Sequence, residues 1–274
     1  MSVIRARRAA PLWLCLAGIV GAASLALPAG AGANSAAQPA AAPVAPILTS
    51  ATVQRLYHGR FKSLHMYVPV GAVHTVVLLL SDESGWTASA DALAQQLRRQ
   101  GALVTGIDWR VLRASLEADG ADCVFPDGDL ENLSHFVQAY YHLPTYLPPV
   151  LLGERAGGTL AYGSLAQSPK DTFAGALSID FCPTVKLRKP LCKGSGLSSR
   201  AKGRRMEFLP ATHLADPWID LATQQAARCP GAEVDRFIAQ VPGATRVATH
   251  RPAPGQDWPE LTDALSRLAR EAPA

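Results

Sequence analysis

Beyond Leu27 the sequence has no apolar run long enough to cross a bilayer, so the main body of the chain is not expected to be a membrane protein. It has no Cys-x-x-Cys pair, and no His/Cys/Asp spacing suits a metal. A glycine-rich phosphate loop with its lysine is also missing, and no internal repeat is visible. No cofactor is expected. Acids are missing between Asp180 and Glu207, a stretch that holds Lys186, Arg188, Lys189, Lys193, Arg200, Lys202, Arg204 and Arg205.

The N-terminus does carry one apolar segment. Arg5, Arg7 and Arg8 precede the apolar run Leu12–Leu27, and Ala31-Gly32-Ala33 follows it, the layout of a cleavable signal peptide over residues 1–33. The mature protein is therefore expected to be soluble and exported. Losing three arginines takes the formal charge from +4 to +1, so nucleic acid is not an expected partner. Residues 34–48 are rich in Ala and Pro and read as an extended linker. Residues 49–274 are enough for a single domain with a substantial core.

Of five cysteines, four lie beyond the leader, an even number that favours disulfides in an exported chain. Cys182 and Cys192 enclose a short loop and are expected to pair, which leaves Cys123 for Cys229. Four cysteines allow three connectivities, and sequence does not choose among them.

Val53–His58 and Ser63–Pro69 flank Gly59 and read as an antiparallel pair. Further strands are expected at Thr75–Leu80, Ala102–Asp108, Phe173–Asp180, Asp216–Leu221 and Thr245–Thr249. Helices are expected at Ala88–Gln100, Asp129–Leu143, Gly231–Gln240 and Trp258–Arg270. Between them, Pro148 to Tyr162 reads as a buried strand, a glycine turn and a helix. Alternating strands and helices give an α/β fold with a mostly parallel sheet covered by helices on both faces.

The turn Gly153-Glu154-Arg155-Ala156-Gly157 matches the frame of a nucleophile elbow, Gly-x-Ser-x-Gly, and so makes the fold α/β-hydrolase-like. The nucleophile slot holds Arg155. A guanidinium has only donors and stays protonated, so it cannot attack a carbonyl. The other triad positions are also poor. The loop from Ala222 to Arg228 has no carboxylate, Asp220 lies inside a strand, and Asp216 precedes it. His250 follows the last strand without an acid to orient it. Ser84 and His250 are the weak catalytic candidates.

The loop Ser81 to Trp86 reads as the one that would supply oxyanion-hole N–H groups. Its carboxylates, Asp82 and Glu83, are expected to point apart. Ser195 lies in Gly194-Ser195-Gly196 without a strand-turn-helix context. The eight cations between Asp180 and Glu207, with three glycines among them, read as a long irregular insertion pinned by Cys182 and Cys192. With Arg155 they would make the former active-site mouth electropositive, suited to anionic lipid head groups or an acidic partner.

The turn Ser81-Asp82-Glu83-Ser84-Gly85-Trp86 resembles the Ser-Gly-Asp-Gly-Gly-Trp turn of the VirJ/AcvB family of bacterial virulence proteins. Asp129 to Ser134, the elbow through Gln167, Gly175 to Pro183 and Leu187 to Gly194 are similar to that family too. The most specific part is the Phe-Cys-Pro…Lys-Pro-x-Cys pattern. The resemblance implies an exported, periplasmic protein of a Gram-negative bacterium. Long AcvB-type members hydrolyse lysyl-phosphatidylglycerol with a serine in their C-terminal domain. This chain resembles their N-terminal domain and ends before a second domain could begin. It implies a catalytically degenerate binding or accessory factor. Its partners would be an exported protein, a secretion component or an active family member. The alternative is an active hydrolase of aminoacyl-phospholipid or another ester with a non-family nucleophile.

Overall fold

A computed structural model describes residues 53–223 and 228–271. The expected signal peptide and linker, and positions 224–227 of the acid-free loop, lie outside the described residues. The order of elements begins β1 (Val53–His58), β2 (Phe61–Tyr67), β3 (Thr75–Leu80), α1 (Ala88–Arg99), β4 (Ala102–Ile107), α2 (Trp109–Glu117) and α3 (Pro126–Tyr140). It continues with β5 (Val150–Glu154), α4 (Ala156–Gln167), β6 (Gly175–Ile179), β7 (Thr184–Val185), β8 (Ser199–Lys202) and β9 (Arg205–Phe208). It closes with β10 (Trp218–Thr223), α5 (Gly231–Ile238), β11 (Ala244–Thr249) and α6 (Pro259–Glu271).

Eight strands form one sheet in the order β1-β2-β4-β3-β5-β6-β10-β11, parallel except where β2 meets β1 and β4. The inner strands are buried on both faces because helices cover them, and β3 is apolar without a break from Val76 to Leu80. Leu93 and Leu97 of α1 and Leu261 and Leu268 of α6 fill one side. Leu112 and Leu116 of α2, Leu130 and Leu133 of α3, Leu160 of α4 and Phe237 of α5 fill the other.

Three local departures from expectation have physical causes. Helix α2 is not among the expected elements, yet Asp108 caps it by accepting the N–H of Arg110 at 2.8 Å. Helix α3 starts at Pro126, where the missing proline N–H costs nothing, and its last turn gives way to left-handed His142. The basic insertion is irregular only over residues 186–198: around that stretch β7, β9 and β8 form a second, three-stranded antiparallel sheet, with Gly203 turning the β8–β9 hairpin at φ 62°.

The cysteines form two disulfides, Cys123–Cys192 and Cys182–Cys229, not the pairs expected from loop length. The N–H of Cys192 donates to Val124 and the N–H of Val124 to Pro190, which lays this segment beside Cys123. Cys182 follows β6 and Cys229 follows its neighbour β10, so adjacent strand ends bring that pair together.

Candidate functional site

Strand β5 ends at the turn that carries Arg155. The turn is tight: a Cβ on Gly153 would lie 2.2 Å from the Gly157 backbone, and one on Gly157 would lie 2.2 Å from the Leu80 carbonyl. Only glycine fits at either place. Arg155 itself sits at φ 46° and ψ −104°, a strained conformation for a residue with a side chain. Its N–H donates to Ile179 of β6 at 2.8 Å, and its carbonyl accepts from Thr159. Helix α4 starts directly after it.

The loop after β3, the strand that pairs with β5, faces this turn. Trp86 anchors it by packing on Gly106, where a Cβ would come 2.1 Å from the ring, and by donating to the Tyr67 hydroxyl at 3.2 Å. The Trp86 N–H also donates to Asp108 at 3.0 Å, and Gly85 closes a turn onto the Asp82 carbonyl at 2.9 Å. So held, the loop brings both of its carboxylates to Arg228, with Asp82 also at the elbow; they do not point apart.

Asp82 accepts the Ala156 N–H at 3.2 Å, and Arg155 and Arg228 approach the same carboxylate at 3.6 and 3.5 Å. Glu83 meets Arg228 at 2.7 Å, Lys186 at 3.0 Å and Arg205 at 3.5 Å. Burial opposes the charge on Glu83, but the hydrogen bonds from Arg228 and Lys186 outweigh it and hold the carboxyl below the usual range. The expected role of this loop is thus inverted. Instead of offering N–H groups to an oxyanion, it places an anion on the elbow's own N–H.

The remaining candidates separate. Ser84 is exposed, and it and His250, also exposed, make no hydrogen bond among the described residues. Ser81 is buried and accepts the Trp109 N–H at 3.0 Å, so it braces α2. Gly194-Ser195-Gly196 covers the far end of α4, with the Ser195 N–H on Gln167 at 3.1 Å. At the edge where a triad histidine would stand, Arg251 instead pairs with buried Glu154 and lies over Trp258.

Asp220 is fully buried and accepts from Ser178 at 2.8 Å and from the Phe181 N–H at 3.1 Å. Arg246 stands 3.2 Å from its other oxygen but is not aligned for a hydrogen bond. Burial pushes the Asp220 carboxyl up to about 6 despite these partners. Asp216 accepts the Asp171 N–H, away from the elbow.

The basic residues do not act as one patch. Arg200 and Lys202 both bind Glu207, at 2.6 and 2.7 Å. Arg188 binds Glu117 at 3.2 Å, and Lys189 donates to the carbonyls of Asp119 and Ala121. Lys186 and Arg205 face Glu83, while Lys193 and Arg204 have no carboxylate partner among the described residues. The mouth is therefore not simply electropositive. The acids that balance it come from elsewhere in the chain, Glu83 and Glu117 above all, which a linear charge count does not reveal. Among the described residues no group of three His, Cys, Asp or Glu side chains could hold a metal, and no helix is long and apolar enough to cross a membrane.

The strand order, the antiparallel second strand and the glycine-framed elbow after the fifth strand identify the architecture. The fold is that of the α/β hydrolases. A soluble variant of monoglyceride lipase from Saccharomyces cerevisiae, solved with a substrate analog, superposes with a TM-score of 0.53 at 12% identity, covering 84% of this chain and 100% of that one. A candidate dienelactone hydrolase from Klebsiella pneumoniae gives a TM-score of 0.50 at 12% identity, covering 76% of this chain and 91% of that one. At such identities the likeness is one of fold. No protein-family model and no curated protein sequence matches the chain. On the hydrolase fold, Arg155 occupies the apex that the elbow reserves for the nucleophile, and Ala156 carries the N–H that follows it.

Proposed function

We propose that this protein is a binding or accessory factor built on a catalytically degenerate α/β-hydrolase frame and exported to the periplasm. One observation carries the reading: Arg155 stands at the nucleophile apex, and the N–H beside it is given to Asp82. A guanidinium has no lone pair to offer a carbonyl, and a carboxylate 3.2 Å from the Ala156 N–H repels the oxyanion that acyl transfer would form there. Two disulfides suit an oxidising compartment. The resemblance to the VirJ/AcvB family supports an exported protein, a secretion component or an active family member as partner.

The test is a hydrolysis assay of the purified mature protein on short-chain esters and aminoacyl-phospholipid. No turnover above the uncatalysed rate is expected. Turnover that survives Arg155→Ala but is lost in Ser84→Ala would replace this reading with that of an active hydrolase using an unusual nucleophile.

A further inference from the structure

A concave feature lies next to the charge cluster around Glu83. Helix α2, the segment after β7 and the β8–β9 turn enclose a cleft of about 440 Å³. Its lining residues are Arg113, Glu117, Lys186, Arg188, Arg204 and Arg205. Five cations and one carboxylate line it, and two of the cations, Lys186 and Arg205, are already paired with Glu83. Glu117 is shared between Arg113 at 3.4 Å and Arg188 at 3.2 Å, which leaves each guanidinium with donors to spare. Arg204 has no carboxylate partner among the described residues. Lys186 and Arg205 reach outward to Glu83, at the rim toward the elbow, so they tie the cleft to the elbow's own charge cluster.

We propose that this cleft is a binding site for a phosphate group, carried either on a lipid head group or on a small soluble phosphoester. The inference rests on the reading that this edge of the sheet binds rather than transforms. Four of the five cations are arginines, whose planar forks match phosphate oxygens two at a time. With Lys186 and Arg205 paired to Glu83, Arg113, Arg188 and Arg204 stand against Glu117 alone, a surplus of two positive charges that a phosphoester anion can take up. Three separate elements contribute cations, so the arrangement is a product of the fold and not of one basic stretch of sequence. Arg113 in particular lies far from the insertion in sequence and joins it only through α2.

The test uses the mature protein with five probes: inorganic phosphate, glycerol phosphate, succinate, and vesicles of phosphatidylglycerol or of phosphatidylcholine, at low and high salt. At low salt, wild type is expected to bind the anionic phosphate probes, but not the net-neutral phosphatidylcholine vesicles, and to lose them as salt rises. Glycerol phosphate binding points to a soluble ligand; binding to phosphatidylglycerol vesicles alone points to a head group. Arg204→Gln and Arg113→Gln are each expected to weaken binding about fivefold, the effect of removing one cation near a charged partner. Lys193→Gln removes an exposed cation outside the cleft and is expected to change nothing.

Glu117→Gln should strengthen binding, because it removes the competing charge while keeping an oxygen for the Arg188 N–H, now 3.1 Å away. A gain of this kind does not arise from misfolding. Equal losses in Lys193→Gln and Arg204→Gln, equal binding of succinate, or no binding of any probe by either wild type or Glu117→Gln would overturn the proposal. Product release is followed in the same samples. Binding accompanied by hydrolysis would sink the non-catalytic reading while leaving the cleft assignment in place.

Discussion

The Asp82 carboxylate accepts the backbone N–H of Ala156 at 3.2 Å, the position from which an elbow of this fold would donate to a tetrahedral intermediate. Restoring a hydroxyl at the apex therefore does not restore a site. Arg155→Ser is expected to show no burst-phase acylation with activated esters, because Asp82 holds the donor and His250 is exposed without a carboxylate to orient it. Detection of a covalent acyl-enzyme by mass spectrometry in the single variant would refute this.

The elbow also makes a steric prediction. Alanine at position 157 would place its Cβ 2.2 Å from the Leu80 carbonyl and 2.6 Å from that of Ser81, both backbone atoms that cannot swing away. Gly157→Ala is expected to lose about 3 kcal/mol of stability in urea denaturation. Gly128, on α3 with nothing within 4 Å of an added Cβ, is the counterpart. Gly128→Ala should gain about 0.5–1 kcal/mol from helix propensity.

Non-reducing peptide mapping should recover Cys123 linked to Cys192 and Cys182 linked to Cys229, with no free thiol among the four. The bonds join cysteines 69 and 47 residues apart. Replacing either pair with serine is expected to cost about 4 kcal/mol by loop entropy. A fragment joining Cys182 to Cys192 would reinstate the pairing expected from sequence alone.

Asp220 gives a pH signature. Burial raises its folded-state value from 3.8 to about 6, so the folded protein binds a proton that the unfolded chain has already lost. The contribution is fully present below about pH 3.8 and disappears as the pH rises through about 6. The stability of wild type minus that of Asp220→Asn should accordingly fall across this window and level off above it. Asparagine retains an acceptor for Ser178 and the Phe181 N–H, so the variant should fold. A difference that stays flat across the same window would show that Arg246, 3.2 Å away, holds Asp220 ionised throughout.

The sheet was legible because its inner strands are short and mostly apolar, and the elbow because only glycine tolerates positions 153 and 157. Helix α2 was missed although its signal is in the sequence. Asp108 followed by Trp109, Leu112 and Leu116 is a cap and an apolar face, obscured because they abut a strand with no intervening turn. The charge cluster was not readable. Asp82 lies 74 residues from Ala156, Glu83 lies 145 from Arg228, and only the folded sheet brings them together. The disulfides failed for the same reason: chain proximity favoured Cys182 with Cys192, while strand adjacency joined Cys182 to Cys229.

The two disulfides bracket the small antiparallel sheet. One fixes the exit of β6 against the exit of β10, and the other fixes the segment ahead of β8 against the chain between α2 and α3. The walls of the basic cleft are thus stapled on both sides before any ligand arrives. If the cleft takes the proposed phosphate, walls fixed in advance lower the conformational cost of binding it. Reduction of both bonds is then expected to weaken phosphate binding, because the same walls would be free to separate.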